Sequence, residues 1–326
     1  MIITRTPYRV SLFGGGTDFP QWLSIDKGGV VSFSIDKYCY LTARELPPFF
    51  QHKYRVVYSN TETVYDVDEI KHPAFREGIR LYADSPIEIH HHGDLPARSG
   101  IGSSSAFAVG LIHTLWRLKG LRPTQENIAK EAISFEQFHL KEEVGSQDQI
   151  ATAMGGFNYI SFISRKDWIC KPIKVSERYI RYLESHFLLF FTGEERISSH
   201  ISAGLTSNIE SKLPYFYETN ELTQKALKLI EDESDVGEIA ELLEEAWNLK
   251  KRMNPLSSTS KIDDLYSACI KEGALAGKIL GAGGGGFMLL LVTPSNRDKI
   301  MARFRNLIEV PFRIEFSGSQ SVENWA

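Results

Sequence analysis

One nine-residue stretch limits what this chain can fold into more than any other: SGIGSSSAF, residues 99–107. Two glycines and four serines stand directly before an apolar run. In that run Phe107, Leu111, Ile112, Leu115 and Leu118 recur at helical spacing, and Gly120 closes it. A single serine suffices to cap a helix, so capping does not explain six such residues together. Glycines let backbone N–H groups come close to a ligand. The helix that follows adds unpaired N–H groups and the positive end of its dipole. Together they predict an anion site, most often one for phosphate. The hydroxyls add oxygens that can bind ligand oxygens or a metal. The stretch lacks the lysine of G-x-x-x-x-G-K-[ST] and the third glycine of G-x-G-x-x-G, so neither of those phosphate fingerprints applies.

The surroundings of this loop read as a mixed fold. IITRTPYRVSLF is β-branched and aromatic and breaks at Gly14-Gly15-Gly16; GGVVSFSI and YCYLTARE follow as two strand-like runs. IEIHHHGDLP reads as a further strand, stopped by Gly93 and Pro96. A second helix is expected from Thr124 as N-cap to about Leu140, with Ile128, Ala132, Phe135 and Phe138 facing the core. VGSQDQIATAMGGFNYISF reads as a loop, a short helix and a strand, and residues 165–180 are mixed and polar. HFLLFFTG is expected to be a buried strand. Residues 215–253 hold two amphipathic helices, about 260–272 a third, and GKILGAGGGGFMLLLV a glycine-rich loop feeding a buried strand. Strands come first and helices pack beside them without strict βαβ alternation, which predicts an α+β protein. Two domains are expected, 1–165 and 166–326.

Composition excludes some roles. With 326 residues and a net charge of -4, the chain is not built to grip nucleic acid by charge. Cys39, Cys170 and Cys269 are far apart and form no CxxC pair, so they read as reduced thiols. The opening MIITRTPYRV lacks the apolar core of a signal peptide. The longest apolar runs, FLLFF and FMLLLV, are too short to cross a bilayer. The expectation is a cytoplasmic protein, monomer or homodimer, with a small-molecule partner and neither nucleic acid nor membrane.

A phosphate site without a P-loop lysine needs other help. Glu136, near the end of the second helix, together with a loop serine could hold Mg²⁺, which takes few protein oxygens beside phosphate and water. Asp148, in the GSQDQ loop, could accept a proton from a hydroxyl nucleophile or orient it. The three histidines at 90–92 fall on alternating faces of a strand and do not converge on a metal. Trp247, Lys250 and Lys251 read as helix surface and packing.

Three segments, PYRVSLFGGGTD (7–18), LPARSGIGSSSA (95–106) and KILGAGGGGF (278–287), resemble in order and spacing the three motifs of the GHMP kinase superfamily of galactokinases, homoserine kinases, mevalonate kinases and phosphomevalonate kinases. The resemblance implies a ribosomal-S5-like N-terminal domain, a ferredoxin-like C-terminal domain, and a site between them that uses ATP and Mg²⁺. It implies Asp148 and Arg9 as catalytic residues, and Ser104 and Glu136 as metal ligands. Pro96, Ser99, Gly100, Ile101, Gly102, Ser103, Ser104, Ser105 and Ala106 would form the nucleotide site, with Ser103, Ser105 and the amides of 100–106 facing the phosphates. Gly16, Thr17 and Asp18 would meet the sugar, and Gly283 and Gly284 would lean on the substrate side of the cleft. Arg98 and Arg196 are the candidate donors to a substrate phosphate.

Galactokinases carry P-G-R-V-N-L-I-G-E-H-T-D in the first motif. Here the Glu-His pair is Gly15-Gly16 and the Asn is Ser11. The GGGTD form, with PARSGIGSSSAF and GSQDQIATAMGGFN, is similar to bacterial kinases of D-glycero-D-manno-heptose 7-phosphate. That likeness implies phosphorylation of the anomeric hydroxyl to the 1,7-bisphosphate. The alternatives are a hexose or deoxyhexose 1-kinase of galactokinase or fucokinase type, and a non-catalytic galactokinase-like sugar sensor. A diphosphomevalonate-type decarboxylase of the same superfamily fits the GGGTD motif poorly.

Overall fold

A computed structural model describes residues 1–193, 201, 204–205 and 208–322. The first sheet is built on β1 (Ile2–Phe13) and β2 (Gly28–Glu45), paired antiparallel from Ile2↔Ala43 to Phe13↔Val31. The two runs read as separate strands are one. At Asp36 and Lys37 the ladder shifts register rather than turning, and Asp36 instead exchanges bonds with the backbone of Arg313. A second shift leaves Leu12 without a partner between Ser11↔Ser32 and Phe13↔Val31. This is a bulge at the point where β1 runs into its glycines.

The sheet continues through β3 (Tyr54–Val57), β4 (Thr61–Val64) and β5 (Ile87–Gly93) in the order β2-β5-β3-β4, with β3 and β5 parallel. β6 (Phe157–Phe162) pairs with the first part of β2, and β7 (Trp168–Pro172) pairs with β6. The division expected at 165/166 therefore falls inside the β6–β7 hairpin. The sheet is completed from far along the chain by β12 (Gln320–Ser321), paired with Thr4 and Arg5.

Between the strands run α1 (Pro20–Leu23), α2 (Pro73–Tyr82), α3 (Ser103–Leu118), α4 (Gln125–Ser134) and α5 (Gln147–Met154). α3 packs along β1 and β2 and against α2, α4 and α5, and α5 also meets β1 and β2. Thr124 caps α4 by accepting from the Asn127 N–H. The helical path past Ser134 loosens into a π-turn, Phe135–His139. Its wider pitch turns Phe138, expected in the core, to solvent at 67% exposure, while Phe135 and Glu136 stay fully buried.

After α6 (Glu177–His186) comes β8 (Phe187–Phe191), in a second sheet ordered β11-β8-β10-β9. Its members are β9 (Ala274–Ile279), β10 (Phe287–Val292) and β11 (Ile308–Glu309). Helices α7 (Leu213–Glu231), α8 (Val236–Met253), α9 (Ser260–Lys271) and α10 (Pro294–Arg303) complete this half. β10 is apolar throughout because both of its faces are covered. Phe287, Leu289 and Leu291 join the large core shared with the first sheet. Met288, Leu290 and Val292 join a smaller one with Phe190, Trp247 and Cys269.

Phe33 ties the halves together. It is fully buried, with ring centroids 5.8 Å from Phe157, 5.1 Å from Phe187 and 5.9 Å from Phe312. Phe33→Ala is expected to cost about 3–5 kcal/mol of stability. Urea unfolding checks this: the midpoint falls at constant slope, and an unchanged midpoint contradicts the packing role.

Candidate active site

The centre of the site is a crossing of two glycine-rich loops, backbone on backbone. A Cβ on Gly100 would stand 2.6 Å from the Leu280 carbonyl oxygen, and one on Gly281 2.6 Å from the Gly100 Cα. Only glycine permits this approach at positive φ (86° and 62°). The Phe287 N–H donates to the Ser99 carbonyl at 3.0 Å, and the Arg9 N–H to the Ile101 carbonyl at 3.0 Å. The Ser99 hydroxyl donates to the Pro96 carbonyl. The phosphate-loop candidate is thus pinned from β1 on one side and from β10 on the other.

From this crossing the chain enters α3 through Gly102, with the Ala106 N–H donating to the Gly102 carbonyl. Ser103 is partly exposed and its Oγ accepts from the Arg98 N–H, while Ser104 is exposed. The N-terminal amides of this 16-residue helix have no intrahelical acceptor and form the anion end of the loop. Ser105 departs from expectation. It is buried, and its hydroxyl donates inward to Glu136 Oε2 at 2.8 Å rather than toward a ligand.

The π-turn aims Glu136 at these serines. Oε1 accepts from Ser104 Oγ at 3.2 Å, and Gln149 Nε2 also donates to Oε2. Burial pushes this carboxyl up to about 8, reinforced by the charge of Glu142, with the Ser105 and Gln149 bonds acting against it. No cation lies among these partners. A buried carboxylate short of positive charge, sharing an exposed hydroxyl, matches the donor set that Mg²⁺ takes beside phosphate oxygens and water. Ser104 and Glu136 therefore fit the ion.

Asp148 was expected in a loop; it lies in the first turn of α5. Arg9 grips it with two bonds, Nε to Oδ1 at 2.8 Å and Nη2 to Oδ2 at 2.6 Å, and its Nη1 donates to the Gly100 carbonyl at 2.7 Å. Arg9 is 3% exposed and Asp148 27%, so the carboxylate reaches solvent from a fixed base. One guanidinium thus sets the distance between the carboxylate and the phosphate loop.

The preceding residue, Gln147, escaped the sequence reading. Its N–H and Nε2 donate to Asp18 at 3.0 and 2.9 Å, and its Oε1 accepts from Ser11 at 2.7 Å. Asp18 also accepts from the Gly16 N–H at 3.1 Å and is almost fully buried. Burial raises its carboxyl to about 6, and the charge of Asp148 adds to the effect. Asp18 therefore binds the GGGTD loop to the start of α5. Thr17 is equally committed: its hydroxyl donates to the Gly14 and Gly29 carbonyls and is closed to solvent. Gly16 sits under Leu205 and Phe216.

The remaining expected residues do not all join this cleft. Arg98 is exposed, with φ of 58°, on the phosphate-loop side, where its charge acts on His72. Gly283 and Gly284 lean on Ser257, whose carbonyl accepts from the Gly284 N–H at 2.8 Å. Arg196 lies outside the described residues. Beside the Gly-Ser loop stands a group of partly exposed rings. Phe107 is met by His72 at 5.5 Å and by His91 at 5.2 Å, and His72 by Tyr58 at 4.8 Å. His90 turns the other way and bonds Glu88. Alternation along the strand separates these histidines, as their spacing requires.

The Glu136 environment sets a sign for stability. Its folded pKa is raised, so its contribution is full below about pH 4.5 and is lost as pH rises through about 8. Asp18 has the same sign but is spent by about pH 6. With a chelator present, Tm is expected to fall between pH 6.5 and 9 in the wild type and to fall less in Glu136→Gln. Added Mg²⁺ should restore the wild type alone. Parallel pH profiles of the two proteins contradict this.

Comparisons with known proteins bear on the family. The family model for "GHMP kinases N terminal domain" matches residues 69–156, and that for "GHMP kinases C terminal" matches 224–309. The chain is 28% identical to the D-glycero-alpha-D-manno-heptose 7-phosphate kinase of Campylobacter jejuni, over 99% of this chain and 98% of that protein. It is 21% identical to the galactokinase of Thermotoga neapolitana, over 96% and 95%. Among solved structures, a D-glycero-D-manno-heptose 1-phosphate kinase from Bacteriodes thetaiotaomicron superposes with a TM-score of 0.81 at 22% identity, covering 100% of both chains. Three glycine loops, two sheets and the two matched halves lead to one conclusion: this chain is a member of the GHMP kinase family.

Proposed function

We propose that the protein transfers the γ-phosphoryl group of ATP to the anomeric hydroxyl of a sugar phosphate, with D-glycero-D-manno-heptose 7-phosphate as substrate and the 1,7-bisphosphate as product. The observation that carries this reading is the Arg9–Asp148 pair, a partly exposed carboxylate fixed on a buried guanidinium that also holds the phosphate loop at Gly100. Asp148 accepts the proton of the attacking hydroxyl or orients that hydroxyl. Arg9 keeps the carboxylate aimed at the phosphoryl group. The amides at the start of α3 bind the phosphates, and the rings of Tyr58, His72, His91 and Phe107 offer a stacking surface for the base. Ser104 and Glu136 would hold Mg²⁺, which when bound neutralises charge on the phosphate oxygens.

Support for the sugar phosphate comes from the first motif. Glycines at 15 and 16 take away a negative charge and two large polar side chains where galactokinases carry Glu and His. The named relatives point to heptose phosphates, although their names differ in the position of the phosphate. A distal phosphate is worth roughly 1.5–3 kcal/mol for each charge-assisted contact.

Two measurements test the proposal. ADP release with a panel of sugars is expected to give heptose 7-phosphate a kcat/KM at least about a hundredfold above free galactose or mannose, the lower end for two such contacts. Comparable efficiency on an unphosphorylated hexose transfers the assignment to a simple hexose 1-kinase, and no release with any sugar favours a sensor. Asp148→Asn is expected to keep nucleotide binding and to lower kcat by about 10²–10⁴-fold. Retention of more than about a third of wild-type kcat removes Asp148 from the mechanism.

A further inference from the structure

Two lysines meet at the back of the loop crossing: Lys278, which heads the third glycine motif, and Lys250, which the sequence placed on a helix surface. Lys278, on β9, is 8% exposed and sends its ammonium across to β1, donating to the Leu12 carbonyl at 2.9 Å. Leu12 is the bulged residue that pairs with nothing on β2 and stands two residues before Gly14. Lys250, on α8, reaches over the end of β9. Its ammonium donates to the Ile279 carbonyl at 3.2 Å and the Gly281 carbonyl at 2.6 Å, with the Trp247 ring centroid 5.7 Å away. Arg9 stands close enough to both lysines to act on their charge, while its own Nη1 holds the Gly100 carbonyl. Three cationic side chains thus anchor the roots of the three glycine loops. Lys278 anchors the loop at 14–16, Arg9 the loop at 99–102 and Lys250 the loop at 281–286.

The charges do not balance. Among the described residues Asp148 is the one carboxylate paired within this group, and it is taken by Arg9. Neither ammonium has a carboxylate at ion-pair distance there. Lys278 also has one acceptor for three N–H donors. Buried charge without a counter-charge is costly. A structural bond to a single carbonyl could be made by a neutral donor. The surplus lies behind the point where Arg9 joins the phosphate loop to Asp148, and there an incoming anion would supply the missing charge.

We infer that Lys250 and Lys278 are positioning residues of the phosphoryl-transfer site: they hold the three glycine loops together through their backbone carbonyls, and Lys278 supplies positive charge against which a nucleoside triphosphate is bound. The inference rests on the kinase reading above and adds the charge that the site uses. It also sets a pH range. Burial and the charge of Arg9 on β1 lower Lys278 to about 8, while burial, Lys278 and Arg9 push Lys250 well down. Asp148 on α5, paired with Arg9, is the opposing charge bound within this group. A lysine with a lowered pKa is charged below that value and neutral above it, so the hold on an anion weakens as pH climbs past about 8. Arginine stays charged throughout.

Calorimetric titration at fixed Mg²⁺ with a non-hydrolysable ATP analogue and with ADP tests this without any sugar. Wild type, Lys278→Arg, Lys278→Met and Lys250→Met are compared at pH 7 and pH 9.5. Wild-type affinity for the triphosphate analogue is expected to fall about tenfold between the two pH values, and that of Lys278→Arg less than threefold. The two methionine variants are expected to bind the analogue at least tenfold more weakly than wild type at pH 7, with ADP affected less. Lys278→Arg keeps the test decisive if either methionine variant fails to fold. Equal pH trends in wild type and Lys278→Arg overturn the inference and leave the kinase reading intact. Failure of wild type to bind the analogue at all overturns both.

Discussion

Everything in this molecule that bears on chemistry depends on two loops touching through bare backbone. Gly100 and Gly281 meet where any side chain would collide, and the Ser99 carbonyl takes the Phe287 N–H beside them. The contact joins the helix-bearing first sheet to β10 of the second, so the phosphate loop belongs to both halves. Bonds of this kind are short and have no side-chain freedom to adjust. The position of the α3 N-terminus is therefore as fixed as the strands that hold it. The Arg9–Asp148 pair uses that rigidity: one guanidinium spans the loop carbonyl and the carboxylate.

Much of the architecture was legible in the sequence, because local physics and tertiary need agree there. Apolar periodicity marks α3, Thr124 caps α4, and the alternation of Phe287, Leu289 and Leu291 with Met288, Leu290 and Val292 matches a strand covered on both faces. The three glycine motifs gave the family and the region of the site. Where the reading went astray, a distant group had decided the local outcome. Asp36 and Lys37 look like a turn but form a bulge because Arg313 supplies the bonds. Phe138 fits a helical stripe until the path widens at Phe135. Ser105 resembles its neighbours in sequence, yet it faces the opposite way, toward Glu136.

The site was legible in its residues and less so in their tasks. Arg9, Asp148, Ser104 and Glu136 converge in two neighbouring pairs. Thr17 and Asp18 are spent on the protein's own backbone and on Gln147, because a loop of three glycines needs side chains to hold it. Gln147 and Lys278 lie inside quoted motifs, but nothing local gives them a task. A glutamine beside an aspartate and a lysine in a strand are common, and only the fold shows what lies opposite them.

The short strand β12 has a consequence for how the chain is made. β1 takes one neighbour from β2, a few residues away, and the other from Gln320 and Ser321, with the Val322 N–H reaching the Ile3 carbonyl. β1 is therefore completed by residues some 315 positions further along the chain. During synthesis one border of β1 stays open, and the first half waits for the second. Pairing over such a span closes slowly, because a long loop must be ordered before it gains any contact. An exposed strand border in the meantime is a place for the nascent chain to meet a wrong partner. The two halves thus share a folding schedule as well as a cleft.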